Sequence, residues 1–337
     1  MSPASRGIRK KLINDPFDAV DEMVEGFAAA HADVVRLVGE RVVARHPPDR
    51  PKVGLVIGGG SGHEPAFLGY VGAGLADAAA VGNIFAAPSP DACHEAIRAA
   101  STGMGVLLAY GNYAGDIMNF GIAAERAAAE GMDVRTVLVT DDVASAPRAE
   151  LDRRRGIAGD VVVFKCAGAM AQRGATLDDV ERVARATNAA THSMGVALYP
   201  CEVPGAGRLS FELADDEIEI GLGLHGEPGM QRGPLLSADE TAEILVETIL
   251  ADLPGRSGHE LAVLVNGLGA TAHLDLYILY RATRRALERA GNRVTRSLVG
   301  EYITSLEMAG ASVTVTRLDD ELRGLLDDPA RTARSPW

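Results

Sequence analysis

The sequence predicts an α/β protein: two α/β domains with mainly parallel or mixed sheets, and a ligand site at the strand-end loops between them. Three observations carry this. Short, solid apolar runs alternate with helical patterns of about 10 to 15 residues, as βαβ units require. The chain has 337 residues, enough for two domains of ordinary size. A second series of strands and helices begins near Ala190, which places the domains at residues 1–190 and 191–337.

The elements follow in order. Across residues 18–45, Val20, Met23, Val24, Phe27, Val34, Val35, Leu37 and Val38 recur with a helical rhythm. The segment HPPDRP then ends that pattern. VGLVI (53–57) is an unbroken apolar run before a glycine-rich loop, the mark of a buried parallel strand. GVLLAY (105–110), a loop, a helix through NFGIAAERAAAE and VRTVLVT (134–140) repeat the unit. Residues 141–159 read as an exposed polar excursion, with Asp141 and Asp142 as solvated caps. DVVVFKCAGAMAQ (160–172) begins like a strand and ends like a helix, and periodicity leaves both open. A helix over 177–190 leads to the strands MGVALYP and DEIEIGLGLHG. A helix over 238–251, the strand and turn LAVLVNGLG (261–269) and a helix over 273–290 come next. RVTRSLVG, SVTVTRL and DDELRGLL complete the series, and the tail beyond Asp328 reads as loose.

Composition narrows the function. Hydrophobic residues make up 47% and charged residues 23%, as in soluble globular proteins. A net charge of −13 speaks against nucleic-acid and anionic-membrane partners, which need basic patches. No apolar stretch reaches the roughly 18 residues of a membrane span. The N-terminal MSPASRGIRKKLIND has no apolar core of a signal peptide, so a cytoplasmic location is expected. Cys93, Cys166 and Cys201 have no CxxC spacing and read as small buried hydrophobes, not as a disulfide or zinc set. His192, His259 and His273 lack ligand spacing, so no metal site is expected.

Chemistry concentrates in three glycine-rich segments: GGGSGHEP with His63, GNYAGD with Asp116 and GLGLHGEPG with His225. Glycine removes side-chain bulk and lets a small molecule approach closely. The first is no Walker loop, since no G-K-[ST] follows, and its glycines at 58, 59, 60 and 62 do not form GxGxxG. Asp116 alone reads equally as a helix N-cap, and His225 alone as a turn residue. Together, two imidazoles and a carboxylate on strand-end loops form a compact acid–base and nucleophile set for a small polar substrate.

These residues carry a near full-length resemblance. VIGGGSGHEPAFLGYVGAG, NYAGDIMNF, RRGIAGDVVVFKCAGA, VPGAGRLSFEL, EIEIGLGLHGEPG and LVGEYITSLEMAG occur in the order found in the substrate-binding K subunits of the dihydroxyacetone kinase family. The resemblance implies a homodimeric phosphotransferase for a short hydroxyketone, most directly dihydroxyacetone. It implies that a ring nitrogen of His225 adds to the ketone as a hemiaminal, that Asp116 is the base, and that His63 hydrogen-bonds the substrate. Gly60, Ser61 and Gly62 would line the pocket. It places ATP or ADP with Mg on a separate helical L subunit, recharged in some forms by a phosphotransferase-system M subunit. The helical half is absent here, so docking to such a partner is expected. The family commonly reads K-N-Y-T-G-D where this chain has Gly111 and Ala114. That departure brings in a longer ketose such as erythrulose, or a non-catalytic ketone-sensing coregulator, as alternatives.

Overall fold

The structure, a computed structural model, describes residues 10–334. Helix α1 (Ala19–Ala30) opens it, followed by strands β1 (Val35–Val38) and β2 (Val42–Arg45). The expected helical pattern over 18–45 therefore stops at Ala30. The valine-rich remainder forms an antiparallel hairpin, in which Val35 faces Arg45, and Gly39 beside the turn has φ of 58°. β-branched residues favour the pleated surface over a helix, and the positive φ suits glycine.

Then come β3 (Gly54–Ser61), the short β4 (Gly72–Ala73), β5 (Ala78–Ile84), α2 (Pro90–Ala100), β6 (Val106–Gly111), α3 (Ala114–Ala129) and β7 (Val134–Val139). They build a six-stranded sheet of order β1-β2-β5-β3-β6-β7. Its β5-β3-β6-β7 portion is parallel. The glycines at 58–60, expected in a loop, lie inside β3. Their neighbours press on the backbone: a Cβ on Gly58 would sit 2.5 Å from the Ala80 carbonyl, and one on Gly60 would sit 2.7 Å from the Ala86 nitrogen. A Cβ on Gly59 would collide with the Phe67 ring.

Residues 141–159 are the expected exposed excursion only in their middle, where 147–149 and 151–153 are exposed; the two ends fold inward. Asp141, Asp142 and Arg154 are buried. Asp141 accepts hydrogen bonds from the amides of Ile157 and Gly159 at 2.8 Å, and Asp142 pairs with Arg155. These bonds satisfy carboxylates that burial would otherwise penalise heavily. Helix α4 (Asp160–Gln172) resolves the ambiguous run: it is apolar on nearly every side because every side is covered. Helix α5 (Leu177–Ala190) follows, with Thr176 capping it through the Asp179 amide.

The second series is β8 (Thr191–Tyr199), β9 (Glu217–Ile220), β10 (Gln231–Pro234), α6 (Ala238–Asp252), β11 (Glu260–Gly267), α7 (His273–Arg289), β12 (Arg293–Gly300), β13 (Ala309–Leu318), α8 (Asp320–Asp327) and β14 (Arg331–Thr332). Its sheet has the order β10-β9-β8-β13-β11-β12. Only β11 and β12 pair in parallel; the other neighbours are antiparallel. Helices α6 and α7 pack on one face, with Leu245, Ile249, Leu276 and Leu287 against Val263, Val265 and Val313. Within the segment expected to be loose beyond Asp328, Arg331 and Thr332 are anchored, since β14 pairs with β4, and residues 335–337 lie outside the described residues.

One apolar cluster crosses between the sheets, joining Ile57, Val139 and Phe164 to Leu224, Leu264, Tyr302 and Met308. Cys93, Cys166 and Cys201 are free and buried. Among the described residues no helix is long and apolar enough to cross a membrane.

Helix α4 reaches this cluster through a close approach. A Cβ on Gly168 would lie 2.5 to 2.7 Å from the Leu75 backbone. Backbone cannot rotate aside as a side chain can, so Gly168→Ala forces α4 outward. The expected loss is about 1–3 kcal/mol, read as a lower denaturant midpoint in equilibrium unfolding.

Candidate functional site

Four chain segments converge where the two sheets meet. β3 ends at Ser61, and Gly62 turns the chain with φ of 93° to present His63. β6 delivers Gly111 and Tyr113, and α3 begins with Asp116 in its first turn. Asp116 is not the N-cap; Tyr113 holds that position and makes no side-chain cap. The loop after β9 carries Leu224, His225 and Glu227. The segment after β12 supplies Ile303, Thr304 and Leu306.

The distant segments interlock through their backbones. Leu306 N–H donates to the Gly62 carbonyl at 2.7 Å, and Thr304 N–H donates to the His63 carbonyl at 3.2 Å. The Thr304 hydroxyl donates to the Glu64 carbonyl at 2.9 Å. Ser305 donates to the Leu224 carbonyl, which ties in the His225 loop.

His63 and His225 touch directly, Nε2 to Nε2, at 3.0 Å. His63 Nδ1 lies 2.7 Å from the Thr304 carbonyl. His225 Nδ1 lies 3.0 Å from Glu227 Oε1, and the His225 amide donates to Glu227 Oε2 at 2.9 Å. Hydrogen positions follow from these partners. A carbonyl and a carboxylate only accept, so each Nδ1 carries a hydrogen. The Nε2–Nε2 contact then needs one hydrogen between two ring nitrogens. The pair holds three protons on four nitrogens and a net positive charge, balanced by Glu227.

Burial dominates the electrostatics around this pair. Burial pushes the His63 pKa down to about 3, and the neighbouring His225 charge adds to this. Burial pushes the Glu227 carboxyl up, but its hydrogen bond and attraction to His225, with help from its own amide and from Arg155, outweigh that and hold it at about 2. Burial raises Asp116 to about 7, with His225 pulling partly the other way. Buried Asp116 Oδ1 has no hydrogen-bond partner.

Gly60, His63, Tyr113, Asp116, Asp160 and His225 line one cavity of about 20 Å³, room for about one water. Ser61 and Gly62 stand outside its wall. The Ser61 hydroxyl donates to the Gly82 carbonyl at 2.7 Å, and the Gly62 amide donates to Glu64. Phe85 and Tyr113 frame the histidines, with ring centroids 5.4 and 5.0 Å from His225. No lysine or arginine lines the cavity, and among the described residues no cluster of His, Cys, Asp or Glu is arranged to hold a metal. The donors present do not fit a nucleotide triphosphate with its cation.

The absent side chain at Gly111 leaves no void. A Cβ there would meet the Tyr113 ring at 3.0 Å and Asp160 Oδ2 at 3.4 Å. Glu227, Tyr113, Asp160 and Thr304 escaped the sequence reading. Glu227 lies two residues from His225 in the same glycine segment, a signal that was available. Thr304 contributes a backbone carbonyl to His63, which no side-chain pattern reveals.

Comparison with known proteins follows this geometry. Residues 25–334 match the Dak1 domain. The chain is 45% identical over 326 residues to the PTS-dependent dihydroxyacetone kinase 2, dihydroxyacetone-binding subunit DhaK, of Listeria innocua, covering 96% of this chain and 98% of that one. It is 44% identical over 325 residues to the L-erythrulose 1-kinase of Mycolicibacterium smegmatis, covering 95% of this chain and 57% of that protein. The dihydroxyacetone kinase from C. freundii, solved in complex with AMP-PNP and Mg2+, superposes with a TM-score of 0.90 at 33% identity, covering 98% of this chain and 61% of that one. With a family match spanning most of its length, the chain belongs to the Dak1 domain family.

Proposed function

We propose that this chain is the ketone-capturing subunit of a dihydroxyacetone kinase, with the nucleotide and Mg carried by a partner subunit. The observation that carries this reading is the 3.0 Å contact between His63 and His225 in a cavity shared with Asp116. The two names given to relatives, a dihydroxyacetone-binding subunit and an erythrulose kinase, support the same substrate class. The filled space at Gly111 favours the triose over a longer ketose. An unpaired base such as Asp116 favours an enzyme over a sensor, which needs only the capturing ring.

The steps balance. A triose enters as the histidine rings part. His225 Nε2 donates its lone pair to the ketone carbon, and the carbonyl π pair moves to oxygen. The proton held between the rings passes through His63 to that oxygen, giving a hydroxyl. His225 keeps its Nδ1 hydrogen on Glu227, so the new imidazolium stays paired with a carboxylate. A covalent bond to a carbonyl also excludes glycerol, which has no electrophilic carbon; hydrogen bonds alone discriminate such small ligands poorly. Asp116 as carboxylate then takes the proton from the terminal hydroxyl as that oxygen bonds to the phosphorus offered by the partner, and the donor's P–O bond breaks with its electron pair staying on the leaving oxygen, which remains with the partner. The protein's contribution is mainly position and charge. We place the division between the two domains near Ala190, with His63 and Asp116 on one side and His225 on the other.

With ketone-labelled dihydroxyacetone, 13C NMR should show a protein-bound tetrahedral carbon, absent in His225→Ala. Asp116→Asn should keep that signal yet lower turnover by about 10²–10⁴, measured with a nucleotide-binding partner subunit and ATP. Capture of glycerol and ketone alike would refute the covalent reading. The raised carboxyl of Asp116 is protonated and inert below pH 7, so turnover should rise through about pH 7 as the base forms.

A further inference from the structure

We propose that Asp160 is a further substrate-contact residue, binding the hydroxyl of the captured ketone that lies across the carbonyl from the one phosphorylated; this rests on the capture reading above. Asp160 opens α4 and lines the cavity, and its side chain is only 2% exposed. Its Oδ1 has no hydrogen-bond partner. Folding does not account for a buried unpaired oxygen there. The start of α4 is already served by Asp141, which accepts from the amides of Ile157 and Gly159. Asp160 makes no capping bond of its own helix.

Glycines pack closely against both carboxyl oxygens: a Cβ on Gly156 would lie 2.9 Å from Oδ1, and one on Gly111 would lie 3.4 Å from Oδ2. A side chain at either position would crowd the carboxyl group, and glycine avoids that. A ketone held at its central carbon by His225 has two arms. One serves Asp116, on a helix turn where Ala114 and Gly115 are exposed and a partner can reach. The other arm points inward and is buried, where a hydroxyl needs a partner. Apart from Asp116, which serves the other arm, Asp160 is the side chain of the wall with a buried oxygen that lacks one. Burial first, then the nearby Asp141 and Asp116, push its carboxyl well above the ordinary range. Its carboxyl oxygens are the groups placed to hydrogen-bond that hydroxyl.

The test compares dihydroxyacetone with hydroxyacetone, which keeps the reacting hydroxyl and lacks the other. It uses the full chain with a nucleotide-binding partner subunit and ATP, and the 13C capture signal for each ketone. The native protein should favour dihydroxyacetone in kcat/KM by about ten- to hundredfold or more. Asp160→Val should erase that preference by losing dihydroxyacetone turnover alone, with hydroxyacetone capture intact as proof of a folded pocket. Asp160→Asn, which can also donate and accept, should retain the preference within a few-fold. Equal losses for both ketones in Asp160→Val, or an Asp160→Asn that behaves like it, overturn the assignment. Failure of the native protein to capture either ketone overturns the capture reading and this one together.

Discussion

The site depends on a backbone clasp between two loops more than two hundred residues apart in sequence. The carbonyls of Gly62 and His63 accept hydrogen bonds from the amides of Leu306 and Thr304, and the Thr304 hydroxyl adds a third tie through Glu64. Without the clasp, the turn after β3 and the segment after β12, which holds the loop after β9 through Ser305, would be free to drift apart. With it, His63 Nδ1 is fixed on the Thr304 carbonyl, which leaves Nε2 as the nitrogen that faces His225. One set of main-chain bonds thus chooses both the geometry and the tautomer. The apolar cluster that spans both sheets supports it, since Ile303 and Leu224 pack into the same core as Ile57.

Burial then sorts the charges. The same dry surroundings lower the basicity of His63, raise Asp116 to about 7, and push the Asp160 carboxyl well above the ordinary range. Glu227 escapes this trend because it faces His225 directly and receives a backbone amide. Carboxyl groups in one small region therefore occupy different protonation states at neutral pH. Environment, not residue type, assigns them separate tasks.

Much of the fold was legible because its strands are short, solid and β-branched and its helices carry clear boundaries. The glycine-set His63, Asp116 and His225 stood out because a histidine or carboxylate amid stripped backbone is unusual. The failures have physical causes. The valines at 34–38 fit a helical spacing by chance, and only pairing with β2 reveals a hairpin. Asp141 and Asp142 look solvated in one dimension, yet amides and Arg155 brought by folding make them interior. Asp160 sat in a run whose periodicity did not separate strand from helix. Thr304 acts through its carbonyl, and every residue has one.

The ring-to-ring contact has a consequence for access to the cavity. An exposed neutral imidazole would be open to every stray aldehyde and ketone that diffuses past. Here each histidine serves as the other's shield, and the chamber beneath them is too small for a sugar until they separate. A visitor must be slim and polar enough to replace that mutual bond, so bulky metabolites are turned away before any chemistry begins.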